Sequence, residues 1–78
     1  MNKQRRKELE KALELIAEAR GIIENCRDDE QDAFDNLPES IQESERGETM
    51  EGFIDILDEA IDNLDDIETE INDEVIYG

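Results

Sequence analysis

Glu48, Glu51, Asp55, Asp58, Glu59, Asp62, Asp65, Asp66 and Asp73 crowd the C-terminal half of this chain at spacings that fall on one side of a helix. Carboxylates in such a row have three chemistries open to them: proton transfer, cation binding, or presentation as a polyanion. Proton transfer needs a concave, water-poor pocket that pushes two carboxyl pKa values apart. A row on a convex helix, even with Asp65 and Asp66 adjacent, supplies none. The chain contains no histidine, so it lacks an imidazole base, a Ser–His or Cys–His pair and the ligands of an ordinary zinc site. Asp28-Asp29-Glu30-Gln31-Asp32 has neither the alternating ligands nor the sixth-position glycine of an EF-hand loop. The expectation is a non-enzymatic protein with no cofactor and no dedicated metal site.

The polyanion reading has a quantitative side. At 1.5 Å rise per residue, nine carboxylates between residues 48 and 73 give about one charge per 4 Å, near the roughly 3.4 Å phosphate spacing of a DNA strand. Six of the nine are Asp, a poorer helix former than Glu whose short side chain holds its charge close to the helix. The plainer alternative is a solvated polar face that only keeps the chain soluble.

Charge along the chain separates into two blocks. Residues 1–27 hold seven Lys or Arg against five Glu, a net of +2, and residues 28–78 hold twenty Asp or Glu against Arg46 alone, a net of −19. The acidic block repels nucleic acid and anionic lipid, so it points to a basic protein partner and away from direct nucleic-acid or membrane binding. No apolar run approaches the roughly 20 residues of a membrane span. Met1-Asn2-Lys3-Gln4-Arg5 leads into charged residues without an apolar signal core, and Cys26 is the only cysteine; together these predict a cytoplasmic protein.

Apolar periodicity supplies the elements. Leu9, Ala12, Ile16, Ala19, Ile23, Cys26, Ala33 and Leu37 step by three and four, interrupted by Glu30, and Met50, Phe53, Leu57, Ala60, Leu64, Ile67 and Ile71 do the same, with Ile54, Ile61 and Val75 on one flank. The residue before a proline avoids helical backbone, so Pro38 ends the first helix near Asp35. Gly47 offers a second break, and Ser40 with Glu43 has capping-box spacing.

The expected fold is a single all-α domain over residues 1–78. It is an antiparallel two-helix hairpin: helix one about 3–35, a connection 36–47 with a short helical turn, and helix two about 48–75. Setting each alanine of the first seam against a large side chain of the second, such as Ala19 against Leu64, fills the interhelical space. Leu13, Leu15, Ile22 and Ile56 then lie beyond what one facing helix covers, which predicts self-association of hairpins into a homodimeric four-helix bundle.

Helix dipoles favour acids at N-termini and bases at C-termini. The first helix reverses this, opening on Lys3, Arg5, Arg6 and Lys7 and closing on Asp28, Asp29, Asp32 and Asp35. In a hairpin its basic start lies beside Asp73 and Glu74, and Glu30 is expected to pair with Arg46. Gly21 and Gly52 fall mid-helix, each costing about 1 kcal/mol relative to Ala.

The segments Phe34-Asp35-Asn36-Leu37-Pro38-Glu39-Ser40-Ile41-Gln42, Ser44-Glu45-Arg46-Gly47-Glu48 and Met50-Glu51, with the opening Met1-Asn2-Lys3-Gln4-Arg5-Arg6, resemble a family of short acidic helical proteins of phages, prophages and Gram-positive bacteria. The likeness covers most of the chain and implies a mobile-element setting, in the cytosol of a host cell, but no activity. The functional expectation is an inhibitor that lays its carboxylates in the basic groove of a host defence or DNA/RNA-binding protein. Leu37, Pro38, Glu39 and Arg46 would add contacts of shape, because charge steers binding more than it selects a partner. The alternative is a structural or regulatory bundle with a merely solubilising acidic face.

Overall fold

The computed structural model describes all 78 residues and contains helices and turns but no strand. Helix α1 runs Lys3–Asp35, α2 is the short Glu39–Gln42, and α3 runs Glu45–Glu70, passing directly into a π-helical turn, Ile71–Ile76. The molecule measures 58 × 16 × 12 Å. A helix of 33 residues spans about 50 Å, so α1 sets most of the length.

Asn2 starts α1: its backbone is extended and its Oδ1 accepts the Arg5 N–H at 2.8 Å, satisfying one of the donors a helix start leaves open. Pro38 bounds the other end, with Asn36 N–H donating to the Asp32 carbonyl at 3.1 Å. Ser44 precedes α3 in extended conformation, but its hydroxyl donates back to the Ile41 carbonyl and does not cap α3. Ser40 lies inside α2 and caps nothing; Pro38 stands at the cap position.

The corner is held by two residues. Gln42 donates its side-chain N–H to the Phe34 carbonyl at 3.0 Å, tying α2 to the last turn of α1. Its own backbone lies so close to Gly47 that a Cβ there would collide with the Gln42 carbonyl group. Gly47 is therefore not a break: it is buried inside α3, with no positive φ, and lets the connection close onto the helix. Gly21 and Gly52 face open space.

α1 and α3 pack along each other, and residues further along α1 pair with residues earlier in α3: Arg20 with Glu68, Arg27 with Asp58. The faces in contact are rotated from the expected ones. Leu9, Ile16, Ile23 and Leu37 are half-covered as expected, but the alternating layer is Leu13, Arg20, Arg27 and Phe34, while Ala19, Cys26 and Ala33 are exposed. In α3 the same shift brings in Ile54, Ile61 and Glu68 and leaves Phe53 and Ile67 outside. Ala19 and Ala33 thus face no large side chain across the interface, while Ala12 and Ala60 are half-covered as expected. Arginines take two of those places because their stems cover apolar surface while the guanidinium reaches an acid at the edge.

The π-helical turn changes the last layer. The Tyr77 N–H donates to the Asn72 carbonyl five residues back, at 3.1 Å. A wider turn delays by one residue the return of a side chain to the same side, so Ile76 is 3% exposed where Val75, the expected stripe residue, is 39% exposed.

Gly47→Ala should destabilise the fold by about 1–3 kcal/mol through overpacking at the corner, whereas Gly21→Ala and Gly52→Ala should stabilise by up to about 1 kcal/mol. Urea titration followed by circular dichroism checks both, and an unchanged midpoint for Gly47→Ala would show that the corner contact is dispensable.

Candidate interaction faces

Three side chains per turn cannot all meet one neighbour, so each helix has flanks that its partner leaves bare. On α1 the bare apolar positions are Leu15, Ala19, Ile22 and Cys26; on α3 they are Phe53, Ile56 and Ile67. Both sets lie on the same side of their own seam. Two helices running in opposite directions turn such flanks toward one face of the pair, where Cys26 and Glu30 of α1 line a groove of about 340 Å³ with Phe53, Ile56 and Leu57 of α3. Leu15 is 58% exposed, Ile22 59% and Ile56 63%. This face is a candidate interaction surface. Of the expected self-association residues, Leu15, Ile22 and Ile56 are on this face and Leu13 is half-covered in the interhelical contact.

Glu30 opens onto this groove. Its expected partner Arg46 is exposed and forms no ion pair with it. Cys26, expected as a small core residue, is an exposed free thiol on the groove wall.

The opposite flank is polar. Gln31 and Phe34 of α1 form a concavity of about 240 Å³ with Glu51, Ile54 and Asp55 of α3. Ion pairs bind the two helices here. Arg20 donates Nε and Nη2 to the two carboxylate oxygens of Glu68 at 2.7 and 3.2 Å and Nη1 to Glu24 at 3.1 Å. Arg27 donates Nε to Asp58 at 2.7 Å and Nη1 to Asp28 at 3.4 Å. The hydrogen bonds that Arg20 donates to Glu68, followed by the Glu68 charge, raise the Arg20 pKa above the ordinary arginine value, and the hydrogen bond to Asp58 raises that of Arg27. Two-point guanidinium–carboxylate pairing adds geometric specificity as well as attraction.

The expected carboxylate row therefore divides. Glu48, Glu51, Asp55, Glu59, Asp62, Asp65, Asp66 and Asp73 are exposed and take part in no ion pair. Asp58 is half-covered and bound to Arg27, so it belongs to the seam and not to the free strip. At the connection, Pro38, Glu39 and Arg46 are exposed while Leu37 is half-buried beneath them. The basic start of α1 makes no ion pair with Asp73 or Glu74. No three acidic or thiol groups converge where a metal ion would sit, and no helix is long and apolar enough to cross a membrane.

The Arg20–Glu68 pair was not singled out from sequence, although an arginine seven residues before another on a helix, each four residues beyond an apolar seam position, was a readable signal. Arg20→Leu alone should lower the thermal midpoint, because Glu68 is then left half-covered without a base. Adding Glu68→Leu should recover it, as apolar replacement of a covered pair commonly does. A neutral single variant, read by circular dichroism melting, would remove the pair from the account of stability.

Compared with protein-family models, curated proteins and solved structures, the chain matches none.

Proposed function

We propose that this chain is a non-enzymatic acidic interaction protein. Its free carboxylate strip occupies the basic nucleic-acid-binding groove of a DNA- or RNA-binding protein, such as a host defence protein, and the antiparallel hairpin pairs through its apolar face into a four-helix bundle. The observation that carries this reading is the segregation of the two faces. One side of the helix pair is apolar and bare, while the other presents exposed carboxylates that the chain's own bases leave alone, although seven Lys or Arg lie within its first 27 residues.

A rigid row of charges has an advantage over a flexible acidic tail, because its spacing is set before binding and little ordering is required at the interface. Complementary charge raises the association rate with a basic groove. The second reading is a structural or regulatory bundle whose acids only solubilise it, and the bare apolar face favours it equally.

Asp62→Lys, Asp65→Lys and Asp66→Lys together separate the two readings, with Asp58 left intact to preserve its bond to Arg27. Immobilised wild-type chain should retain basic nucleic-acid-binding proteins from bacterial lysate at low salt and release them to added duplex DNA or to high salt. The triple variant should retain at least tenfold less. Equal retention by wild type and variant rejects the groove-binding reading and leaves the structural one.

A further inference from the structure

We infer that the apolar face is covered by a second copy of the chain lying head to tail, with the basic start of α1 in each copy against the acidic connection of the other. This rests on the proposed pairing of hairpins and adds its direction. An identical face matches in length and width, so either direction would bury Leu15, Ile22, Phe53 and Ile56. Charge decides between them.

Screening reduces interactions beyond about 8–10 Å, and the molecule is 58 Å long. The net charge of −17 therefore matters less than which charges are brought into contact at each end. At the open end Lys3, Arg5, Arg6, Lys7 and Lys11 are exposed and free of ion pairs; at the connection end stand Asp29, Asp32, Asp35 and Glu39, equally exposed and free. A parallel pair sets the two acidic connections, in which Arg46 is the only base, against each other. A head-to-tail pair instead sets each connection against an open end, where the five bases of α1 stand beside Glu8, Glu10, Glu70, Asp73 and Glu74 and the charge is nearly balanced.

α3 is acidic at both ends, with Glu45 and Glu48 in its first turn. Arg46, the single base of the acidic block, lies at the connection end without a partner, and Glu70 and Glu74 lie at the open end. Reversal of the second copy brings these together as well. It also accounts for a placement that one chain leaves unexplained: α1 has no acid in its first turn and no base in its last, opposite to what its dipole favours. In the head-to-tail pair each end of α1 receives the compensating charges from the other copy.

Gln4→Cys in a Cys26→Ser background, nitroxide-labelled and measured by pulsed electron double resonance, reads the direction. Gln4 is exposed near the open end and Ser at position 26 alters only an exposed thiol. Head-to-tail copies centred near Arg20 place the labels about 50 Å apart at 1.5 Å per residue. A separation within about 25 Å, two to three helix diameters, overturns the inference, as does a monomer in sedimentation at full helicity. Leu15→Asp with Ile22→Asp should convert the pair to a helical monomer, and a dimer that survives both overturns the assignment of the face. None of these outcomes touches Asp62, Asp65 or Asp66, so the carboxylate reading stands or falls separately.

Discussion

Everything in this molecule follows from how little two helices can hide from water. Each offers the other one stripe of side chains, and the result leaves Ile54 and Ile76 as the only buried hydrophobic side chains. Chains of this size bury only about 60% of the surface their unfolded form exposes even when globular, and an elongated pair does worse. The stripe is therefore reinforced by means that need no enclosure. Arg20 and Arg27 lay their stems along it and bind acids of α3 at its edge, Gln42 ties the short helix to the end of α1, and Gly47 lets the connection sit against α3 at backbone distance.

Element boundaries were legible in the sequence because they depend on local chemistry. Pro38 and the three-four spacing place the long helices and the short one between them, although α3 begins at Glu45, before the position near residue 48 where Gly47 suggested a start. The faces in contact were less legible. A hydrophobic count prefers Ala19, Cys26 and Phe53 to Arg20, Arg27 and Glu68, and only tertiary packing reveals that a charged pair with long stems fills the space better. Most of each seam is common to both choices, which is why the error is a rotation about the helix axes and not a loss of the fold. Val75 and Ile76 show a different limit: a π-helical turn changes the repeat for one layer, and nothing in a three-four pattern announces it.

The rotation has consequences for the surfaces. With the arginines at the seam, acids close to it are neutralised, and those further round are not. Asp58 is drawn into the contact while Asp55, Asp62 and Asp66 stay outside. The apolar residues that the misread seam would have enclosed become instead a continuous face on the other side. A pair of helices with Cys26, Phe53 and Ile67 inside would have had a fuller core and a less apolar exterior.

That exchange couples stability to recognition. Residues that would best fill a two-helix core are held outside it, so the isolated chain forgoes burial that a partner can supply, and the arginines that take their place also fix how the carboxylate strip is rotated relative to the apolar face. The strip and the face consequently lie on opposite sides of one rigid unit, and covering the apolar face leaves the acids clear. An interaction protein that must both assemble and present charge needs this separation, because a carboxylate drawn into the assembly interface would lose its hydration without gaining a base. Arg20 and Arg27 are thus the residues through which the packing of the helices determines what the outer surface can meet.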